Sequence, residues 1–248
     1  MQKLRLRYAK RGRLRFTSHR DVARAFERAL RRAHVPMAYS QGFNPHPKIS
    51  WIGAAPTGVA SEAEYVEIQL VEAIEPERLV AMLDDAMPPG LDVLDAVVAV
   101  SSDSLADRAE ASRWRIELAG VTVEDLRAAV ARVLAEPKVE VERLTKNGMR
   151  TIDARAAIVD ATVPDQTDGS DHAPLGAPCG ILEVVVRQTQ PAVRPDDVLS
   201  ALRVVAALEP PVPAKATRMA QGRLDDRGGL SDPLGPDRAV TPGGPTLG

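Results

Sequence analysis

The chain has 248 residues, 44% hydrophobic and 27% charged, with a formal net charge of −2, a composition that fits a globular protein of one large domain or two small ones. Its single cysteine, Cys179, excludes an internal disulfide, a CxxC zinc site and an iron–sulfur cluster. The charged start does not read as a secretory leader and no apolar run is long enough to read as a membrane span, so the expected compartment is the cytoplasm, with no membrane partner.

Lys3 to Phe16 alternates, with Leu4, Leu6, Tyr8, Leu14 and Phe16 interleaved with basic residues. This predicts a half-buried strand pair, or one strand broken at Gly12. Ser18 stands three residues before Asp21, a capping-box-like start. A helix follows from Asp21 to Ala33, with Val22, Ala25, Phe26, Ala29, Leu30 and Ala33 on one stripe and Arg20, Arg24, Arg28 and Arg31 or Arg32 opposite. Pro36 ends it. Met37 to Ser40 and Lys48 to Ile52 are short strands around a Gly-Phe-Asn-Pro-His-Pro loop, and Tyr65 to Leu70 is a third. Pro76 opens a helix to about Met87, stopped by Pro88-Pro89-Gly90, and Leu91 to Val100 is a last strand. The order β-α-β-β-α-β is that of a ferredoxin-like split βαβ unit.

The order then begins again. Trp114 to Leu118 is a strand, a helix runs from Thr122 or Val123 to about Leu134, and Lys138 to Leu144 and Ala156 to Val163 are strands with a Lys146-Asn147-Gly148 turn nearby. Residues 164–180 read as an exposed loop, Ile181 to Gln188 as a strand, Asp196 to Ala207 as a helix behind Pro195, and Thr217 to Gly222 as a short strand. The expected fold is α+β: two ferredoxin-like units in tandem, over residues 1–104 and 112–224. From Asp225 onward Gly, Pro and Asp dominate without period, so 225–248 are expected to form a disordered tail.

The charge is polarised. The first fifty residues hold thirteen Lys and Arg against Asp21 and Glu27, a net of +11, so the rest of the chain sums to −13. Such a block points to an anionic partner, above all nucleic acid. Arginines one turn apart make a ridge that can follow phosphates, and Arg13, Arg15, Arg20, Arg24, Arg28 and Arg31 are the candidates. A solvated helix face is the bland alternative, but Glu27 is the lone acid inside the helix after its first residue. In the loop, prolines on both sides of His46 restrict the backbone and present Asn44, His46 and Lys48 with little entropy to lose. Tyr39 and Phe43 are placed to stack on bases, or Phe43 plugs the core. His19 lies at a helix start, and His19 with His46 is a candidate acid–base pair if the fold brings them together. Glu62 and Glu64 are either paired carboxylates or solvent-facing acids. No metal-ligand spacing, Walker loop, GxGxxG, GxSxG or HExxH occurs, so no cofactor is expected.

Leu-Arg-Tyr-Ala-Lys-Arg-Gly at 6–12, Arg-Phe-Thr-Ser-His-Arg-Asp at 15–21, Arg-Ala-Leu-Arg-Arg-Ala at 28–33, Gly-Phe-Asn-Pro-His-Pro-Lys at 42–48 and Ser-Glu-Ala-Glu-Tyr at 61–65 together resemble the radical SAM-linked proteins. That family is a domain of unknown function, fused behind cobalamin-binding radical SAM modules or encoded beside them. The resemblance extends more loosely to about residue 224. It implies a partner, a separate radical SAM protein, and it carries over no catalytic residue. The expected function is a non-catalytic RNA-binding or accessory module that recruits substrate for that enzyme. The alternatives are a metal-independent RNA-processing enzyme using His19 and His46, and a protein-binding adaptor.

Overall fold

The N-terminal alternation resolves into one strand, β1 (Gln2–Lys10), in the computed structural model, which describes residues 1–146, 148–165 and 178–238. The strand does not continue through Leu14 and Phe16. Gly12 takes φ +55°, in the left-handed region that a glycine enters at no steric cost, and Gly12–Phe16 coils into a 3₁₀ turn.

Helix α1 (His19–Arg32) starts as expected. The Asp21 N–H donates to Ser18 Oγ at 3.3 Å, and Ser18 Oγ donates to Asp21 Oδ2 at 2.7 Å. The helix ends in a Schellman turn. His34 takes φ +51°, its N–H donates to the Arg31 carbonyl at 3.1 Å, and the Val35 N–H donates to the Leu30 carbonyl at 3.0 Å. Pro36 then prevents the helix from resuming.

Strand β2 (Ile49–Ile52), strand β3 (Ala60–Leu70), helix α2 (Pro76–Asp84) and strand β4 (Leu91–Val98) complete the first run of elements. The strands lie in the order β4-β1-β3-β2, each antiparallel to its neighbour. β3 begins five residues earlier than the alternation from Tyr65 suggests, because Ser61, Ala63 and Glu64 are also buried. Leu4 and Leu6 of β1, Phe26 and Leu30 of α1, Ile68 and Leu70 of β3, and Leu79 and Leu83 of α2 meet in one core. Each contributes about 1.5–3 kcal/mol of burial.

The chain divides into two units, one of Met1–Ala109 with the described part of Ser231–Gly248, the other of Glu110–Leu230. The second unit runs β5 (Ala111–Ala119), α3 (Val123–Ala135), a hairpin of β6 (Glu140–Thr145) and β7 (Gly148–Asp153), a turn of helix α4 (Ala154–Ala157), β8 (Ile158–Thr162), β9 (Cys179–Arg187), α5 (Pro195–Ala206) and β10 (Lys215–Leu224). Its sheet has the order β10-β5-β9-β8, again antiparallel throughout. Apart from the inserted β6–β7 hairpin and α4, both units thus place their fourth, first, third and second strands side by side. The segment Lys138 to Leu144, expected as a strand, falls largely in β6, which pairs with β7 in a sheet of two. Asn147, His172 and most of the expected 164–180 loop lie outside the described residues. Cys179 is buried at the start of β9. Among the described residues no helix is long and apolar enough to cross a membrane.

The segment expected as a disordered tail is ordered as far as residue 238; residues 239–248 lie outside the described residues. Asp225 makes a tight turn, its Oδ1 accepting from the N–H groups of Arg227 and Gly229. Leu234 is fully buried with Ile52, Tyr65 and Val97 of the first unit. Helix α6 (Gly235–Arg238) then places Asp237 at 0% exposure. Its carboxylate accepts from Arg5 at 2.7 and 3.0 Å, from Arg108 at 2.7 Å, and from the N–H groups of Val100 and Ser101. A composition poor in apolar residues conceals this because one buried carboxylate between two buried guanidiniums, not an apolar stripe, anchors the segment.

Burial works against the Asp237 charge, but Arg108, the Ser101 N–H and Arg5 outweigh it and hold the carboxyl below the ordinary carboxylate range. A folded value below the unfolded one means the stabilisation is complete above about pH 4 and is lost as pH falls through the folded value. Asp237→Ala leaves two buried guanidiniums without their carboxylate, and we expect thermal and urea unfolding to show a loss of about 3–5 kcal/mol at neutral pH. The deficit relative to wild type is expected to shrink as both proteins are acidified below about pH 4.

Candidate nucleic-acid interface

Four rings fasten α1 to the sheet. Trp51 of β2 meets Phe26 at 5.4 Å between ring centroids, Tyr8 at 6.1 Å and His19 at 5.3 Å, all nearly edge to face, and Tyr8 meets Phe26 at 5.6 Å. With Val22, Phe26, Ala29 and Leu30 turned inward, Arg20, Arg24, Arg28, Arg31 and Arg32 are exposed. At about 100° per residue, Arg20, Arg24, Arg28 and Arg31 fall within roughly 80° of arc, with Glu27 in the same stripe.

The cations of β1 are not part of this surface. Arg5 is 3% exposed and bonds Glu67 as well as Asp237. Burial alone would lower its pKa, but the bonds to Asp237 and Glu67 outweigh that and raise it. Lys10, also 3% exposed, donates to the carbonyls of Ala55 and Pro56. Arg11 bonds Glu62 and Asp92, and Lys3 pairs with Glu67 at 3.4 Å. The strand face therefore holds the unit together instead of facing an anionic partner. Glu62 and Glu64 are not paired carboxylates facing solvent either: Glu62 holds Arg11, and Glu64, 2% exposed, accepts from the Ala55 N–H at 2.9 Å.

The remaining basic residues lie on the 3₁₀ turn, the helix and the loop. Among the described residues Arg13, Arg20, Arg28, Arg31 and Lys48 make no ion pair. Arg24 has only an exposed pair with Asp21 at 3.7 Å, worth about 0–1 kcal/mol. Arg15 stacks its guanidinium on Phe16, 4.6 Å from the ring centroid.

The loop is a narrow ladder with an open apex. The Lys48 N–H donates to the Ala38 carbonyl at 2.8 Å, the Ser40 N–H to the His46 carbonyl at 2.8 Å, and the His46 N–H to Ser40 Oγ at 3.0 Å. Gly42 turns the apex at φ +131°. Phe43 is fully exposed there, which removes the reading in which it plugs the core, and Asn44, His46 and Lys48 are exposed beside it. Tyr39 is 49% and Phe16 61% exposed. The whole chain has only eight aromatic residues, so leaving three of them in solvent within the basic block is a costly use of scarce apolar surface.

A cleft of about 330 Å³ lies between α1 and the loop. Glu27, Leu30 and Arg31 form its helical wall, Tyr39, Pro45, His46 and Pro47 its loop wall, and Val35 and Met37 its base. The structure thus gathers Arg31, Tyr39 and His46 around one cavity. His19 packs on Trp51 and has different neighbours from His46. Two contributors were not identified as site residues from sequence. Trp51 gave no signal, and Glu27 was visible only as the lone acid among the arginines. Among the described residues no group of three His, Cys, Asp or Glu side chains could hold a metal ion.

Residues 3–195, which include α1, the loop and the cleft, match the model of the family described as "Uncharacterized protein conserved in bacteria (DUF2344)", and the chain belongs to that family. No curated protein matches it.

Trp51 and Phe43 are expected to behave oppositely in thermal melts. Trp51→Ala removes the ring that joins helix to sheet and costs about 3 kcal/mol, whereas Phe43→Ala changes stability by no more than about 0.5 kcal/mol.

Proposed function

We propose that this protein is a non-catalytic module that binds single-stranded RNA along the exposed face of α1 and the 39–48 loop. One observation carries the reading: Phe16, Tyr39 and Phe43 are left in solvent among cations of which, among the described residues, only Arg24 has an acidic partner, the exposed Asp21. Stacking of a base on an exposed ring contributes about 1–3 kcal/mol, and cations spaced along a helix supply the phosphate contacts. Duplex binding would not use rings at a loop apex, since paired bases hide their faces.

Each unit is read as ferredoxin-like, on the support of a β-α-β-β-α-β order, interrupted in the second unit by the β6–β7 hairpin and α4, and of its fourth-first-third-second strand arrangement. That fold serves many functions, so the site and not the scaffold argues for RNA. The motifs that resemble radical SAM-linked proteins give the module its place: it brings RNA to a separate radical SAM enzyme. The cluster of such an enzyme needs three thiolates, and this chain has one, buried at Cys179, so the radical chemistry belongs to the partner. Cleavage by His19 and His46 would need both imidazoles at one phosphate, and their separate surroundings lend that reading no support.

The test is fluorescence anisotropy with a labelled single-stranded RNA over a range of salt. Each phosphate contact is expected to steepen the fall of log K with log salt by about 0.7. With Arg20, Arg24, Arg28 and Arg31 all changed to Glu, affinity is expected to fall by at least ~100-fold at moderate salt and the slope to flatten. No binding by wild type at moderate salt, or undiminished binding by the variant, would overturn the proposal. Capture of an acidic protein in place of RNA would favour the adaptor reading.

A further inference from the structure

We infer that the cleft between α1 and the loop is a base slot selective for guanine, with Glu27 as the residue that reads it. This rests on the RNA reading above and assigns a specificity to the same surface. An anion set within a phosphate-binding ridge weakens every phosphate contact near it, so Glu27 works against the ridge in which it stands. Arg24 lies three residues before it and Arg31 four after, yet among the described residues Glu27 pairs with neither. Glu27 lines the cleft instead.

The rest of the cleft suits one nucleobase. Leu30, Val35 and Met37 are 2%, 8% and 8% exposed and supply an apolar base, while the walls are largely polar. Tyr39 brings a half-exposed ring to the opposite wall, held by its bridge to Pro47. A volume of about 330 Å³ holds a base with its ribose but not a stretch of strand. An apolar base under convergent polar groups is a construction that can select by hydrogen bonding.

The chemistry of the carboxylate chooses among the bases. Ionised, it offers acceptors only. Guanine alone presents two adjacent donors, N1–H and the N2 amino group, on the edge that an unpaired base leaves open, and these match the two oxygens of one carboxylate. Adenine and cytosine each present one amino group beside an acceptor that a carboxylate repels. Uracil presents one ring N–H between two carbonyls. Arg31, on the same wall, supplies donors for the guanine O6.

The experiment compares full-length protein binding to uridine 9-mers carrying one central guanine, inosine, adenine or cytosine, with guanosine monophosphate as a separate ligand. The guanine strand is expected to bind ~10-fold tighter than the adenine and cytosine strands, and inosine, which lacks the N2 amino group, to lose most of that advantage. Glu27→Gln is expected to abolish the preference, bringing the guanine strand to the affinity of the adenine strand; thermal melting confirms that the variant is folded. Equal binding of the guanine and adenine strands, or a preference that survives Glu27→Gln, overturns the slot and leaves the RNA reading standing. Binding of guanosine monophosphate with no binding of any strand supports the slot and overturns the RNA reading. Absence of binding in every arm overturns both.

Discussion

The packing of Trp51 is the contact on which the proposed surface depends. It joins β1 through Tyr8, α1 through Phe26 and His19, and β2 through its own backbone. Because α1 is pinned by Phe26 and Val22, its arginines have only the solvent side available. Because β2 is pinned at Trp51, the chain between helix and strand must return in the short distance from Val35 to Lys48. That return is the Tyr39–Lys48 loop, and its closeness to Glu27 and Arg31 opens the cleft. Ridge, loop and cleft are thus consequences of one aromatic junction, which in an aromatic-poor chain uses Tyr8, Phe26 and Trp51, three of the five aromatic residues that are not exposed.

Charge in the first fifty residues divides by partner, not by position along the chain. Arg5, Lys10 and Arg11 satisfy carboxylates and carbonyls of their own unit. Removing water from a guanidinium is expensive, so Arg5 at 3% exposure persists only because Asp237 and Glu67 accept from it. The same demand explains why the chain beyond Ser231 returns to the first unit: it delivers the carboxylate that Arg5 and Arg108 require. The cations that lack such partners are those of the helix and loop. They keep their hydration when the protein is alone, and under the proposed function contact with phosphate is the interaction they make.

Periodicity made most of the elements legible. α1 was readable from its stripe and from Ser18 and Asp21, and the order of the first unit was readable except at Met37 to Ser40, which makes only isolated bridges; the second unit carries the β6–β7 hairpin and α4 besides. Three things were not. The turn at Gly12 follows a backbone angle that alternation does not register, so Leu14 and Phe16 looked like strand. The docking of residues 231–238 depends on Asp237 meeting Arg5 and Arg108 across more than a hundred residues, a pairing without local trace. The role of Trp51 is likewise a tertiary fact. Among site residues, the sequence singled out Arg31, Tyr39 and His46, which do share a cleft, but it also suggested His19 as the companion of His46, and His19 belongs to the junction with Trp51. Glu27 escaped notice because a lone acid among arginines reads as incidental until the cavity beside it is seen.

The central claim is that nucleic acid lies on the arginine face and loop of the first unit. Ultraviolet crosslinking of the full-length protein to the RNA that co-purifies with it, followed by peptide mapping and sequencing of the RNA, tests this most directly. Crosslinks at Phe43, Tyr39 and Phe16, with few elsewhere, are the predicted result. Crosslinks confined to the second unit, or a protein that purifies free of RNA and crosslinks to none added, would contradict it.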